Sequence, residues 1–159
     1  MYRLALALVC VGCAPVSVSP GPSPHAAVGA FRLLFEQAVV RRDTAAMTRA
    51  VAPQLIFHER GNTVTIPRSQ LLDLAAAILR GFPDLQFRVE SVIASGDSAA
   101  ARITATGTHR GEWDGIAPTG RRVQFDEMFF CKLREGRLAE CWEVWDKWGL
   151  RQQLLANSG

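Results

Sequence analysis

The chain has 159 residues, 48% of them hydrophobic and 21% charged, which supports one folded domain with a sizeable core and argues against disorder. A formal net charge of +3, with Lys and Arg scattered along the chain, is too small for an electrostatic nucleic-acid binder. No apolar run reaches the roughly 18 residues a membrane-spanning helix needs.

Met1-Tyr2-Arg3 carries one positive charge and leads into an apolar stretch, Leu4 to Val11, closed by Gly12-Cys13. A charged start before a short apolar core is the pattern of an export signal. Its close resembles the lipobox of bacterial lipoproteins, which implies cleavage before Cys13 and lipidation of that cysteine. Cys10 departs from the pattern, standing where lipoboxes usually carry Leu. Pro15, Pro20, Pro22 and Pro24 then favour an extended tether. Residues 1–13 therefore read as an export signal, 14–25 as a tether, 26–155 as the folded domain and 156–159 as a tail. Such a domain is periplasmic or membrane-anchored, or else secreted, in a compartment that permits disulfides.

From Ala26 to Arg41 the apolar residues Val28, Phe31, Leu34, Phe35, Ala38 and Val39 fall at helical spacing. Asp43 is placed to cap a second short helix, which ends before Pro53. Gln54 to His58 reads as a short strand, Gly61-Asn62 as a turn, and Pro67 as the start of a helix that Gly81 and Pro83 stop. The period then changes to two: strands are predicted over 85–93, 99–113, 123–133 and 138–146, with a short helical tail over 148–155. Helices first and an antiparallel meander afterwards predict an α+β domain, its helices packed on one face of a curved sheet.

The last two strands flank the turn Arg134-Glu135-Gly136-Arg137. With Arg134 opposite Arg137 in a straight ladder, Cys131 faces Glu140 and Cys141 faces Phe130. The two thiols then point to opposite faces, and a disulfide between them is disfavoured unless a bulge shifts the register. The same ladder puts Phe125, Glu127, Phe129, Cys131 and Leu133 on one face with Leu138, Glu140, Trp142, Val144 and Asp146. That mainly apolar face is a predicted cavity wall, with Glu127 and Glu140 at wet strand ends or paired with arginines. Trp145 is expected to point outward beside Cys141 and Phe130, as a dimer contact.

Three stretches carry a resemblance: Thr108-His109-Arg110-Gly111-Glu112, Gly115 to Val123, and Leu133 to Asp146 with its Glu140-Cys141-Trp142-Glu143-Val144-Trp145-Asp146 close. With Gly81-Phe82-Pro83-Asp84-Leu85 upstream, they resemble the SnoaL-like polyketide cyclase (ester cyclase) family of the nuclear-transport-factor-two-like superfamily. The resemblance implies a cone-shaped α+β fold around an apolar cavity, often dimeric. It also implies cofactor-free and metal-free acid/base chemistry on a small apolar carbonyl compound, of cyclase, isomerase or dehydratase type. Carried over by motif, the catalytic aspartate falls on Asp146 and an assisting histidine on His109. Cys141 departs from the family, which commonly has histidine there. Trp142, Phe129, Phe125, Val144 and His58 are the expected cavity-lining residues. The alternative is a tethered domain that binds a small molecule or assembles without chemistry. No nucleic-acid partner is expected, and membrane contact only through Cys13.

Overall fold

The computed structural model describes residues 23–59 and 61–156. The leader, most of the tether and the lipidation candidate Cys13 lie outside the described residues.

Ser23 opens α1 (Pro24–Arg32): its side chain accepts from the Ala26 amide, and Pro24 occupies the first helical position, where no N–H is needed. The helix continues without a break as a π-helical segment, Leu33–Val39, which carries Phe35, Ala38 and Val39 into the core. Asp43 caps α2 (Thr44–Ala50), accepting from the amides of Ala45 and Ala46 at 2.8 and 2.9 Å. The chain then forms β1 (Val51–Glu59) and β2 (Asn62–Pro67) before α3 (Arg68–Gly81). Four strands follow: β3 (Gln86–Ser95), β4 (Ser98–Thr108), β5 (Arg122–Arg134) and β6 (Arg137–Trp145). Helix α4 (Lys147–Leu155) closes the described chain.

The six strands form one curved, unclosed sheet in the order β2-β1-β6-β5-β4-β3. Every neighbouring pair is antiparallel except β1 and β6, which run parallel. The fold is therefore the expected α+β arrangement of helices on one sheet face, with one correction to its topology. The early strand is longer than predicted and does not stand apart: with β2 it forms a hairpin that completes the meander through β6. Between the turn expected at Gly61-Asn62 and the helix start expected at Pro67, residues 62–67 form this extra strand, and Pro67 also opens α3. Its Asn62-Thr63-Val64-Thr65 stretch is exposed at the sheet edge, so no buried alternation marks it. Strand β4 is shorter than predicted, and residues 109–121 form a folded loop.

Strand β5 alternates exposed and buried without a break, burying Val123, Phe125, Glu127, Phe129, Cys131 and Leu133. Its turn into β6 has Glu135 at φ 52° and Gly136 at φ 74° between the paired Arg134 and Arg137. Two left-handed residues make the primed two-residue turn whose twist suits a hairpin. Leu133 pairs with Leu138, but Lys132 pairs with Glu140, so Ala139 is one extra residue in β6. That bulge moves the rest of β6 to the other face.

The bulge corrects three expectations together. Cys131 lies directly opposite Cys141, with Cα atoms 4.1 Å apart, and the two form a disulfide. Cys141, Glu143 and Trp145 face the helices, while Glu140, Trp142 and Val144 face outward. Trp145 is thus an inner residue, and the exposed apolar patch is instead Met128, Phe130 and Val144, with Trp142 half-buried beside them.

Candidate functional site

The helices and the concave sheet face enclose a cavity of about 930 Å³. Phe31, Phe35 and Leu71 wall it from the helix side, and Phe57, Phe129 and Trp145 from the sheet. It reaches the surface beside Val64 of β2, Leu74 of α3 and the 112–114 loop, whose exposed side chains belong to its rim.

The rim is held in place. The amides of Arg110 and Gly111 both donate to the Gly81 carbonyl, at 2.9 and 3.0 Å. A side chain on Gly111 would run into the Arg80 carbonyl, so only glycine permits this approach. Trp113 then packs against Phe82 and Trp145, and Asp114 takes ion pairs from Lys147 at 2.8 Å and Arg151 at 3.2 Å. The Lys147 hydrogen bond holds the Asp114 carboxyl below its ordinary range, against a smaller opposing effect of desolvation.

Three carboxyl side chains stand on the sheet wall of the cavity: Glu59 on β1, Glu143 on β6 and Glu127 on β5. Glu59 is the register partner of Glu143, while Glu127 pairs with Trp145 and so lies diagonal to Glu143 on the same face. The Trp145 indole N–H points to Glu59 Oε1 at 3.4 Å. Glu127 is 6% exposed, and no described residue gives it a hydrogen bond. Burial first, and the neighbouring Glu143 carboxylate second, push its pKa from 4.5 up to about 8. At neutral pH it is mostly a neutral acid, and it becomes a base within reach of physiological pH. The expectation of a wet or arginine-paired Glu127 is therefore overturned. Its signal was its place in the unbroken alternation between Phe125 and Phe129.

The residues named from the resemblance fall elsewhere. Asp146 is exposed and caps α4, its Oδ1 accepting from the Gly149 amide at 2.7 Å; it does not line the cavity. His109 is fully buried at the end of β4. The Thr119 amide donates to its Nδ1 at 3.2 Å, which leaves the ring proton on Nε2, a buried atom without a partner among the described residues. Desolvation lowers its pKa, with Glu112 and the Gly111 backbone opposing. Its neighbour is Phe82, at 5.2 Å between centroids, rather than the cavity. The structure does not bring Asp146 and His109 together in one cavity.

Of the expected lining residues, Phe129 is in the wall. Phe125 is buried behind it, against Trp145 in a second apolar cluster with Phe82 and Leu150. Trp142 and Val144 face outward because of the bulge, and His58 joins them through the β1–β6 register. There His58 stacks on Trp142 at 4.4 Å and donates from Nε2 to Glu140 at 2.9 Å.

A family model described as SnoaL-like polyketide cyclase matches residues 30–154. Among solved structures, AclR from Streptomyces galilaeus is 30% identical, with 83% of this chain and 84% of that chain covered at a TM-score of 0.67. TsrD from Streptomyces laurentii is 21% identical and covers 84% and 97% of the two chains at a TM-score of 0.73. A SnoaL-like polyketide cyclase from Agrobacterium tumefaciens is 22% identical and covers 80% and 97% at a TM-score of 0.65. No curated protein matches.

Proposed function

Since the chain belongs to the SnoaL-like polyketide cyclase family, we propose that its cavity binds a small, largely apolar carbonyl compound and moves a proton beside the carbonyl through Glu127. The observation that carries this reading is a carboxyl buried in the cavity wall, without a hydrogen-bond donor among the described residues, whose pKa stands at about 8. A group in that range serves both directions of proton transfer near neutral pH. As a carboxylate it takes a proton from the carbon next to the carbonyl, leaving an enolate and a neutral Glu127. Return of that proton to another carbon completes an isomerisation; attack of the enolate on a second carbonyl of the same molecule forms a carbon–carbon bond and an alkoxide, and the proton passing from Glu127 to that alkoxide completes a cyclisation. Phe31, Phe35, Phe57 and Phe129 supply the apolar surface that holds the substrate and excludes water.

Exchange of α-protons for deuterium in a bulky ketone such as 2-decalone, followed by mass spectrometry, tests the assignment. Wild-type protein is expected to speed exchange, with a rate that rises about tenfold per pH unit and levels above pH ~8. Glu127→Gln is expected to abolish the acceleration. Ligand-induced stabilisation without any exchange, unchanged in Glu127→Gln, would instead favour the binding-module reading.

Export belongs to the same proposal. The Cys131–Cys141 disulfide supports it, because such bonds persist in oxidising compartments. Loss of a fatty-acid label in Cys13→Ser checks the anchor. Self-association through the outer sheet face is the proposed assembly, supported by the exposure of Met128, Phe130 and Val144. Val144→Glu is expected to turn a dimer into a monomer in sedimentation.

A further inference from the structure

We propose that the Cys131–Cys141 disulfide is a positioning element for the carboxyl site: it locks β6 in the bulged register that sets Glu143 and Trp145 beside Glu127, and reduction releases that register. The inference rests on the reading of Glu127 as the proton-transfer group.

Two registers are open to a strand that leaves the Arg134–Arg137 turn. In the straight ladder Cys131 faces Glu140, Phe130 faces Cys141, and Glu127 faces Val144. In the observed ladder Ala139 is extra, and Glu127 faces Trp145. One residue of slip exchanges the two faces of β6 completely. Hydrophobic patterning chooses weakly between them, because the faces are alike: Glu140, Trp142 and Val144 on one, Cys141, Glu143 and Trp145 on the other. Each offers one carboxyl, one tryptophan and one smaller side chain to the cavity.

The covalent bond does discriminate. Both cysteines are buried and directly opposed in the bulged register, at 0% and 3% exposure. In the straight one their sulfurs lie on opposite sides of the sheet, and no bond can close. Cys141 also lines the cavity, one position along its face from Glu143. Strand β1 supports the same register without a covalent bond: Phe57 pairs with Cys141 and Glu59 with Glu143, His58 stacks on Trp142 and donates to Glu140, and the Trp145 indole points to Glu59. Releasing the cross-link leaves only non-covalent contacts to hold the register, in a sheet that can keep its strands while β6 slips.

Dithiothreitol breaks the Sγ–Sγ bond by supplying two electrons and two protons, giving two cysteine thiols and its own cyclic disulfide. The full-length chain is compared before and after this treatment, alongside Cys131→Val/Cys141→Ala. Carbon-13 NMR reads the Glu127 carboxyl midpoint, circular dichroism reads the fold, and 2-decalone reads α-proton exchange. The expected result is a folded protein whose Glu127 midpoint falls below about 8 by the contribution of Glu143, burial still holding it above 4.5, with exchange slowed roughly tenfold or more as the cavity wall is rebuilt. Glu143→Gln in the oxidised protein should lower the midpoint with the disulfide intact. A reduced, folded protein that keeps its midpoint and its exchange rate overturns the inference. So does complete unfolding of both reduced forms, which makes the cross-link a general staple. A midpoint of about 8 in oxidised protein with no exchange sinks the proton-transfer reading alone, since the midpoint still reports the register.

Discussion

Glu127 and Glu140 stand on the two faces of one hairpin and titrate in opposite directions. On the inner face Glu127 is buried, receives no hydrogen bond from a described residue, and lies near a second carboxylate, so its pKa rises to about 8. On the outer face Glu140 accepts from His58 at 2.9 Å and pairs with Lys132 at 3.5 Å, and these donors hold its pKa below the ordinary range despite some desolvation. The residue type is the same and the strands are adjacent. Solvent and neighbours decide the difference, and a single bulged residue, Ala139, decides which glutamates of β6 meet which environment.

Removing the inner carboxyl is expected to have the largest effect. A pKa raised from 4.5 to about 8 means that the unfolded chain ionises Glu127 while the folded chain still holds it neutral. The fold therefore loses stability as pH climbs from about 4.5 to about 8 and loses no more above that. The full shift corresponds to about 5 kcal/mol. Glu127→Gln, which keeps the shape and removes the titration, should flatten this part of the stability–pH curve. Urea unfolding at pH 4 and pH 9 checks it: the variant gains on wild type at pH 9 relative to pH 4. Equal differences at the two values would show that the carboxyl is not held neutral.

That inner carboxyl was half legible. Strand β5 carries a strict alternation, which fixes Glu127 among Phe125, Phe129 and Cys131 whatever happens to its partner strand. The turn was legible too, since Glu135-Gly136 between two strand patterns leaves little choice. The bulge was not. Both faces of β6 satisfy a hydrophobic pattern, so nothing local says that Ala139 is extra, and every inference about Trp142, Val144, Trp145 and the cysteines inherits that ambiguity. Strand β2 was hidden for another reason: at an exposed edge its pairing to β1 is made by backbone, and backbone pairing leaves no mark in side-chain types. Asp146 and His109 show the limit of a motif. Each lies in a well-formed local structure, a helix cap and a loop anchor, and neither role depends on the cavity.

The cap gives the next effect in size. Asp146→Ala removes the acceptor for the Gly149 amide, and loss of such a cap costs about 1 kcal/mol. Thermal unfolding should record this cost, while ketone exchange by the folded protein stays as in wild type. A loss of exchange with the stability unchanged would return Asp146 to the chemistry.

The smallest effect is expected from Glu140→Gln, the outer counterpart of the first substitution. A pKa held below its unfolded value contributes stability that is present above the unfolded pKa and lost as pH falls through the folded one. The variant should therefore be slightly less stable than wild type at pH 7 and indistinguishable from it at pH 2, the reverse of the trend at Glu127. The group is solvated, so screening keeps the effect small, and added salt should shrink it further. If Glu140→Gln instead stabilised the protein as pH rose, Glu140 would be behaving as an inner carboxyl. The register that separates the two faces would then be the straight one in solution.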